Sequence, residues 1–186
     1  MSTLDNTIEP QTNAPIWKTA LQWSAYATVA GILLSLIMYL MDYNPMAGGM
    51  SGLVGFMFVG LIMAGIFAGL AIKQYRDRDN GGYVKYGTGL LISVVVSSVS
   101  AIGGQIWEYI MGTVIDPMRY EKMAEAFAET WGEAMPAEAL EEAVSKMANG
   151  PEVLSIFTSG LLGGAFFGLI VGLVVAAIMK REPKTM

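Results

Sequence analysis

Four long stretches of this sequence carry no charged side chain: residues 23–41, 48–72, 86–107 and 153–179. Each is near or above the roughly 20 residues that a helix needs to cross the hydrocarbon of a bilayer. A helix that is apolar around its whole circumference must be covered on every side. Four such helices in a chain of 186 residues leave too little protein to cover them in water. The pattern therefore predicts an all-α fold, a four-helix transmembrane bundle with spans at about 17–41, 48–72, 86–110 and 153–179.

Composition agrees. Charged residues make up 15% of the chain, against about 25% in soluble domains. Twenty-two glycines are well above the average share of about 7%, and in a membrane protein such an excess serves close helix packing. Cysteine and histidine are both absent. That removes disulfides, thiolate sites, the commonest metal ligand and the commonest general base. No cofactor, metal or catalytic residue is expected, and the chain reads as non-enzymatic. A net charge of -5 argues against nucleic acid, whose binders present a basic face.

Lys and Arg placement predicts orientation, since positive residues stay on the cytoplasmic side. The segment after the second stretch holds Lys73, Arg76, Arg78 and Lys85, and the C-terminal segment holds Lys180, Arg181 and Lys184. Residues 42–47 hold none, and the long segment 116–152 holds only Arg119, Lys122 and Lys146. Both termini are thus expected in the cytoplasm. Residues 1–15 read as a disordered cytoplasmic tail, and 16–186 as a single membrane domain. Asn80-Gly81-Gly82 marks a turn on the cytoplasmic side.

Segment 116–152 is too long for a bare loop. Glu121, Glu125, Glu129 and Glu133 recur at every fourth position, as do Met123, Phe127, Trp131 and Met135. The two series are offset by about 200° around a helix, so acids and large apolar side chains occupy opposite faces. Pro136 then opens a second helix with Leu140, Val144 and Met147 on one stripe. The expectation is an extracytoplasmic amphipathic helical hairpin over residues 117–148, between spans three and four.

Two short motifs sit at the ends of these spans. Ile72-Lys73-Gln74-Tyr75-Arg76-Asp77 runs into Asn80-Gly81-Gly82-Tyr83, and Ile115-Asp116-Pro117 follows the third span before an acidic helical segment and a glycine-rich last span. In this order they resemble the bacterial membrane family catalogued as domain of unknown function 4199. The resemblance runs over nearly the whole chain from the first span. It implies a four-span fold and a bacterial cytoplasmic membrane, and it supplies no catalytic residues.

Two constellations invite a functional reading. Gly160, Gly164, Gly168 and Gly172 form a smooth stripe along the last span, where another backbone can approach closely. The stripe serves either packing within one chain or association with a second copy or a membrane-protein partner. Weaker small-residue faces run along the other spans, including Gly89, Ser93, Ser97 and Ala101 on the third. Gln105 and Glu108 continue that face. Glu108 lies about 33 Å along the third helix at 1.5 Å per residue, which is interfacial depth. It reads as a solvated boundary residue or as a proton or cation site. Asp116, before Pro117, reads as a cap or turn residue. The acidic stripe reads as a solvated face.

Two functions fit these features. One is an accessory or scaffolding subunit acting through glycine-rich helix packing in the lipid bilayer. The other is an oligomeric small-solute or ion transporter or channel with a polar outer mouth at Gln105 and Glu108.

Overall fold

The structure, a computed structural model, describes residues 14–182. The tail expected over 1–15 falls almost entirely outside the described residues, as does Lys184. Six helices follow one another: α1 (Trp17–Leu40), α2 (Gly49–Gln74), α3 (Tyr86–Ile110), α4 (Arg119–Trp131), α5 (Ala137–Ala148) and α6 (Val153–Met179). α1, α2, α3 and α6 are long and apolar enough to cross a membrane, so the expected all-α, four-span bundle is what the chain forms. α4 and α5 pack on each other as the expected hairpin.

Two spans run further than their apolar stretches. α2 continues through a π-helical turn at Tyr75–Asp79, and α3 through another at Met111–Ile115. Charge does not stop a helix at a membrane boundary, because Lys and Arg stems lie along apolar surface while their heads reach water. The first turn overlaps the first short sequence motif, and the second ends at Ile115, where the second motif begins.

α3 and α6 form the spine of the bundle and pack together more extensively than any other pair of helices. The glycine stripe explains why. A Cβ added at Gly164 would lie 2.5 Å from the Ser98 Cα, one at Gly168 would lie 2.8 Å from the Val94 Cα, and one at Gly160 would lie 3.0 Å from the Ile102 Cα. These backbones meet where any side chain would hold them apart. Glycine costs a helix about 1 kcal/mol relative to alanine in water. The dispersion attraction between closely approaching backbones offsets that cost where no hydrophobic effect operates between helices. Gly163, one step around, has nothing within 4 Å. The stripe is therefore taken up inside the chain. α1 reaches α3 in the same way at Gly103, where an added Cβ would lie 2.6 Å from the Thr28 side chain.

At the end of the bundle that carries the 75–85 segment, all four long helices close on one another around Ala20, Ile72, Tyr75, Ile92 and Ala176. A polar clasp locks this end. Thr19 donates to Asp79, Trp23 Nε1 donates to Gln74 at 3.1 Å, and the Tyr75 hydroxyl donates to the Ala14 carbonyl at 2.7 Å. Asn80, 3% exposed, accepts from the Ala14 amide and donates to the Tyr83 carbonyl. Gly81 and Gly82 both hold positive φ, at 63° and 90°, where side chains other than glycine are strained. The turn they make lets Val84 pair with Arg181 in an antiparallel bridge.

Toward the opposite end the packing changes. In α1 only Thr19, Ala20 and Ser24 are buried, and in α2 only Ala68, Ala71 and Ile72. α6, by contrast, has buried positions spread along one face from Ile156 to Ala176. α1 and α2 thus join the core at the clasp and leave it toward the hairpin, and a cavity opens between them and the α3–α6 spine.

Candidate functional site: a cavity with a charged rim

The cavity holds about 1480 Å³. Its walls differ in chemistry. α2 contributes Phe56, Met57, Met63 and Phe67, all apolar. α1 and α3 face these with Thr28, Ser35, Ser100, Gln105 and Glu108. A polar strip thus climbs one wall while the other is grease. The floor is the core that closes the clasp end, and α4 and α5 supply part of the rim.

Glu108 organises that rim. Its carboxylate accepts from Arg119 twice, Nε at 3.0 Å and Nη2 at 3.2 Å, and from the Ser35 hydroxyl at 3.1 Å. The paired fork of guanidinium and carboxylate fixes direction as well as distance. Trp107 Nε1 donates to the same Ser35 oxygen at 3.3 Å, and the Tyr120 hydroxyl donates to the Glu108 carbonyl at 3.0 Å. Burial, and behind it the charge of Glu108, pushes the Tyr120 hydroxyl's pKa up, so it remains a donor. One residue of α3 thereby ties together α1, through Ser35, and the start of α4, through Arg119 and Tyr120. The Arg119 guanidinium also lies 6.0 Å from the Tyr39 ring centre.

Of the residues picked out in the sequence, Gln105, Glu108 and Asp116 all line this one cavity. Glu108 is a partly solvated carboxylate at the cavity rim. Its side chain is 37% exposed and paired with Arg119. Asp116 is a turn residue, its carbonyl accepting the Arg119 amide at 2.9 Å. Its carboxylate caps no helix and instead receives Lys122 at 3.0 Å, a hydrogen bond that raises the Lys122 pKa. Gly160 and Gly164 lie at the seam between the cavity and the spine. The sequence did not single out Ser35, Arg119, Tyr120 or Lys122 as partners. The only trace was that Arg119 and Lys122 are two of the three basic residues in an otherwise acidic segment.

The hairpin has the two faces its spacing predicted. Glu121, Glu125 and Glu129 are exposed on α4, while Met123, Phe127 and Trp131 are half-buried; Glu133 and Met135 fall in the turn after α4, which ends at Trp131. Phe127 and Trp131 stack with ring centres 6.3 Å apart. The Thr130 hydroxyl donates to the Met46 carbonyl at 3.3 Å, pinning α4 to the α1–α2 loop.

A family model described as "Protein of unknown function (DUF4199)" matches residues 22–181. No curated protein matches the chain, and no solved structure does. The matched stretch takes in both motifs, the glycine spine, the whole rim and all of the clasp except its Ala14 and Thr19 partners.

Proposed function

The chain belongs to the DUF4199 family, and we propose that it is a non-enzymatic, multi-pass protein of the bacterial cytoplasmic membrane that receives a solute in its rimmed cavity. The carrying observation is the cavity of about 1480 Å³ with a polar strip leading to Gln105 and Glu108. Ionisable residues held at a cavity edge within membrane-spanning helices are where membrane proteins handle solutes. The distribution of Lys and Arg supports an orientation with the clasp and both termini in the cytoplasm and the hairpin outside. The cavity then faces outward, and the clasp closes the inner side.

A second reading, an accessory subunit acting through helix packing, is favoured by one observation. Gly55 of α2, which does not line the cavity, has nothing within 4 Å, so a stretch of backbone there stands unused by the chain's own helices. That surface would take a second copy or a membrane-protein partner. The acidic balance of the chain gives no support to nucleic-acid binding.

The absence of cysteine makes single-cysteine labelling the test. In intact cells, Asn44→Cys and Ala139→Cys should react with an impermeant thiol reagent, and Arg78→Cys should be shielded. Asn80 is unsuitable for this purpose because it is buried in the clasp. Labelling of Arg78→Cys from outside reverses the orientation. In delipidated protein in detergent, Gln105→Cys should react with a small thiol reagent at a rate close to that of Asn44→Cys. A silent Gln105→Cys there sinks the solute reading. A stable hetero-oligomer in native mass spectrometry would then point to the accessory one.

A further inference from the structure

We propose that the α4–α5 hairpin is a lid that pivots on Tyr120 and latches across the cavity mouth at Thr130, setting the size of solute that enters. The proposal rests on the outward-facing cavity described above. Three observations carry it.

The first is how the hairpin is attached. α4 and α5 pack on each other, and on none of the four long helices to a comparable extent. The chain enters the hairpin at Asp116-Pro117 and leaves it at Gly150-Pro151, and both crossings meet one ring. A Cβ at Gly150 would lie 2.7 Å from the Tyr120 ring. One at Gly112, in the π-helical turn that ends α3, would collide with the same ring. Tyr120 thus sits in a socket with a glycine on either side, and its hydroxyl donates to the Glu108 carbonyl at 3.0 Å. Gly150 holds a φ of 69°, which glycine adopts without steric cost. The fork of Arg119 on Glu108 lies at the same corner. Two chain crossings beside one anchored ring define a single pivot, and hinges of this kind sit at element ends.

The second is reach. From Tyr120 to Thr130 α4 rises about 15 Å at 1.5 Å per residue, which carries it from the end of α3 to the start of α2. There the Thr130 hydroxyl donates to the Met46 carbonyl at 3.3 Å. A Cβ on Gly49, the first residue of α2, would lie 3.5 Å from the Thr130 methyl. α4 therefore crosses from the polar wall of the cavity to the apolar one. Its near end is held by a socket, an ion pair and the chain itself, and its far end by a neutral hydrogen bond. The far end is the one that lets go.

The third is the underside. Met123, Ala143 and Met147 line the cavity, while Glu121, Glu125 and Glu129 are exposed on the other face of α4. The hairpin turns apolar side chains toward the mouth and acids away from it. Opening bares the apolar side chains to water, so the lid returns to the mouth.

Size-dependent labelling of Gln105→Cys in the detergent-solubilised full chain tests this. N-ethylmaleimide is small enough to pass the rim and should label residue 105 at one rate whatever stands at Thr130. Fluorescein maleimide is bulky and should label it slowly. Thr130→Val keeps a methyl and removes the hydroxyl, and it should raise the fluorescein rate about fivefold, the shift in open fraction expected for one net hydrogen bond. Ala139→Cys, exposed on α5, should show no such rise. The closeness of Gly49 to the Thr130 methyl puts Gly49→Cys and Thr130→Cys within reach of a disulfide. Oxidised, that pair should keep fluorescein maleimide from residue 105, as read by peptide mass spectrometry, and dithiothreitol should restore entry. If the pair does not oxidise, Thr130→Val alone decides. A fluorescein rate unchanged by Thr130→Val, or one equal to the N-ethylmaleimide rate from the start, overturns the lid and leaves the cavity standing. Silence of Gln105→Cys toward both reagents removes the cavity reading itself, and the lid with it.

Discussion

Gly164 of α6 sits on the backbone of Ser98 of α3, so closely that a Cβ on the glycine would lie 2.5 Å from the Ser98 Cα and 2.7 Å from the Ser97 carbonyl oxygen. The obstacle is main chain, which cannot swing aside as a flexible side chain can. Gly164→Ile should therefore cost at least the roughly 1–3 kcal/mol typical of overpacking, seen as a lower melting temperature in detergent. Gly163→Ile meets open space and should cost about 0.5 kcal/mol or less. Because the stripe is occupied within the chain, the loss should appear in the monomer's own stability and not as failed association. Equal effects at the two positions would show that α6 is rotated from the orientation described.

Glu108 and Arg119 join α3 to α4, and both are partly open to solvent, at 37% and 21% of their side-chain surfaces. Pairs of this exposure couple by about 0.2–1 kcal/mol. A double-mutant cycle with Glu108→Gln and Arg119→Gln should return a value in that range. Each single change should also raise hydrogen exchange at the start of α4. A coupling indistinguishable from zero, with exchange unchanged, would mean the rim is not held by this pair.

The hairpin is held by its apolar face. Replacing Phe127 and Trp131 together by serine removes a stacked pair of rings and should raise exchange several-fold across α4 and α5. Glu125→Gln with Glu129→Gln acts on the exposed face and should leave protection intact or improve it, since like charges four apart repel. If the serine pair leaves exchange unaltered, some other contact carries the hairpin.

Two ion pairs give the hairpin a pH window. The hydrogen bond from Lys122 to Asp116 raises the Lys122 pKa, so its contribution is complete below the ordinary lysine value and disappears as pH rises through the raised one. The hydrogen bond from Lys146, then its charge, lowers the Glu142 pKa. That contribution is present above the ordinary carboxylate value and disappears as pH falls through the lowered one. Hairpin protection should be greatest between these limits and should fall at both. Lys122→Gln should flatten only the alkaline limb, and Glu142→Gln only the acid one. Added salt should shrink both effects. An alkaline limb that survives Lys122→Gln would assign it to another group.

Much of the fold could be read in the residues because membrane spans announce themselves by length alone. The last span begins and ends where its apolar stretch does, at Val153 and Met179. The hairpin's faces followed from fourfold spacing, and the glycine stripe was visible as a stripe. What it would meet was not. Small-residue faces ran along every span, and only three-dimensional packing paired Gly164 with Ser98. The rim was half legible. An acid at a span's edge draws notice, but its partner Arg119 lies across a chain reversal, at a distance no helical period marks. The clasp was hidden for the same reason, since Thr19 and Asp79 come from helices far apart in sequence. The π-helical turn at Tyr75–Asp79 was missed because a helix running past Lys73 has no apolar signature, and the one at Met111–Ile115 because Glu108 interrupts the apolar run before it.

The uneven packing of α1 and α2 also gives the molecule a shape. Its four spans are gathered at the clasp and spread at the hairpin, so the chain displaces more area from one leaflet than from the other. A wedge of that kind feels the difference in lateral pressure between the two halves of a bilayer. Its free energy then varies with membrane curvature, and a bilayer bent to give the hairpin side more room is the one in which it sits with least strain.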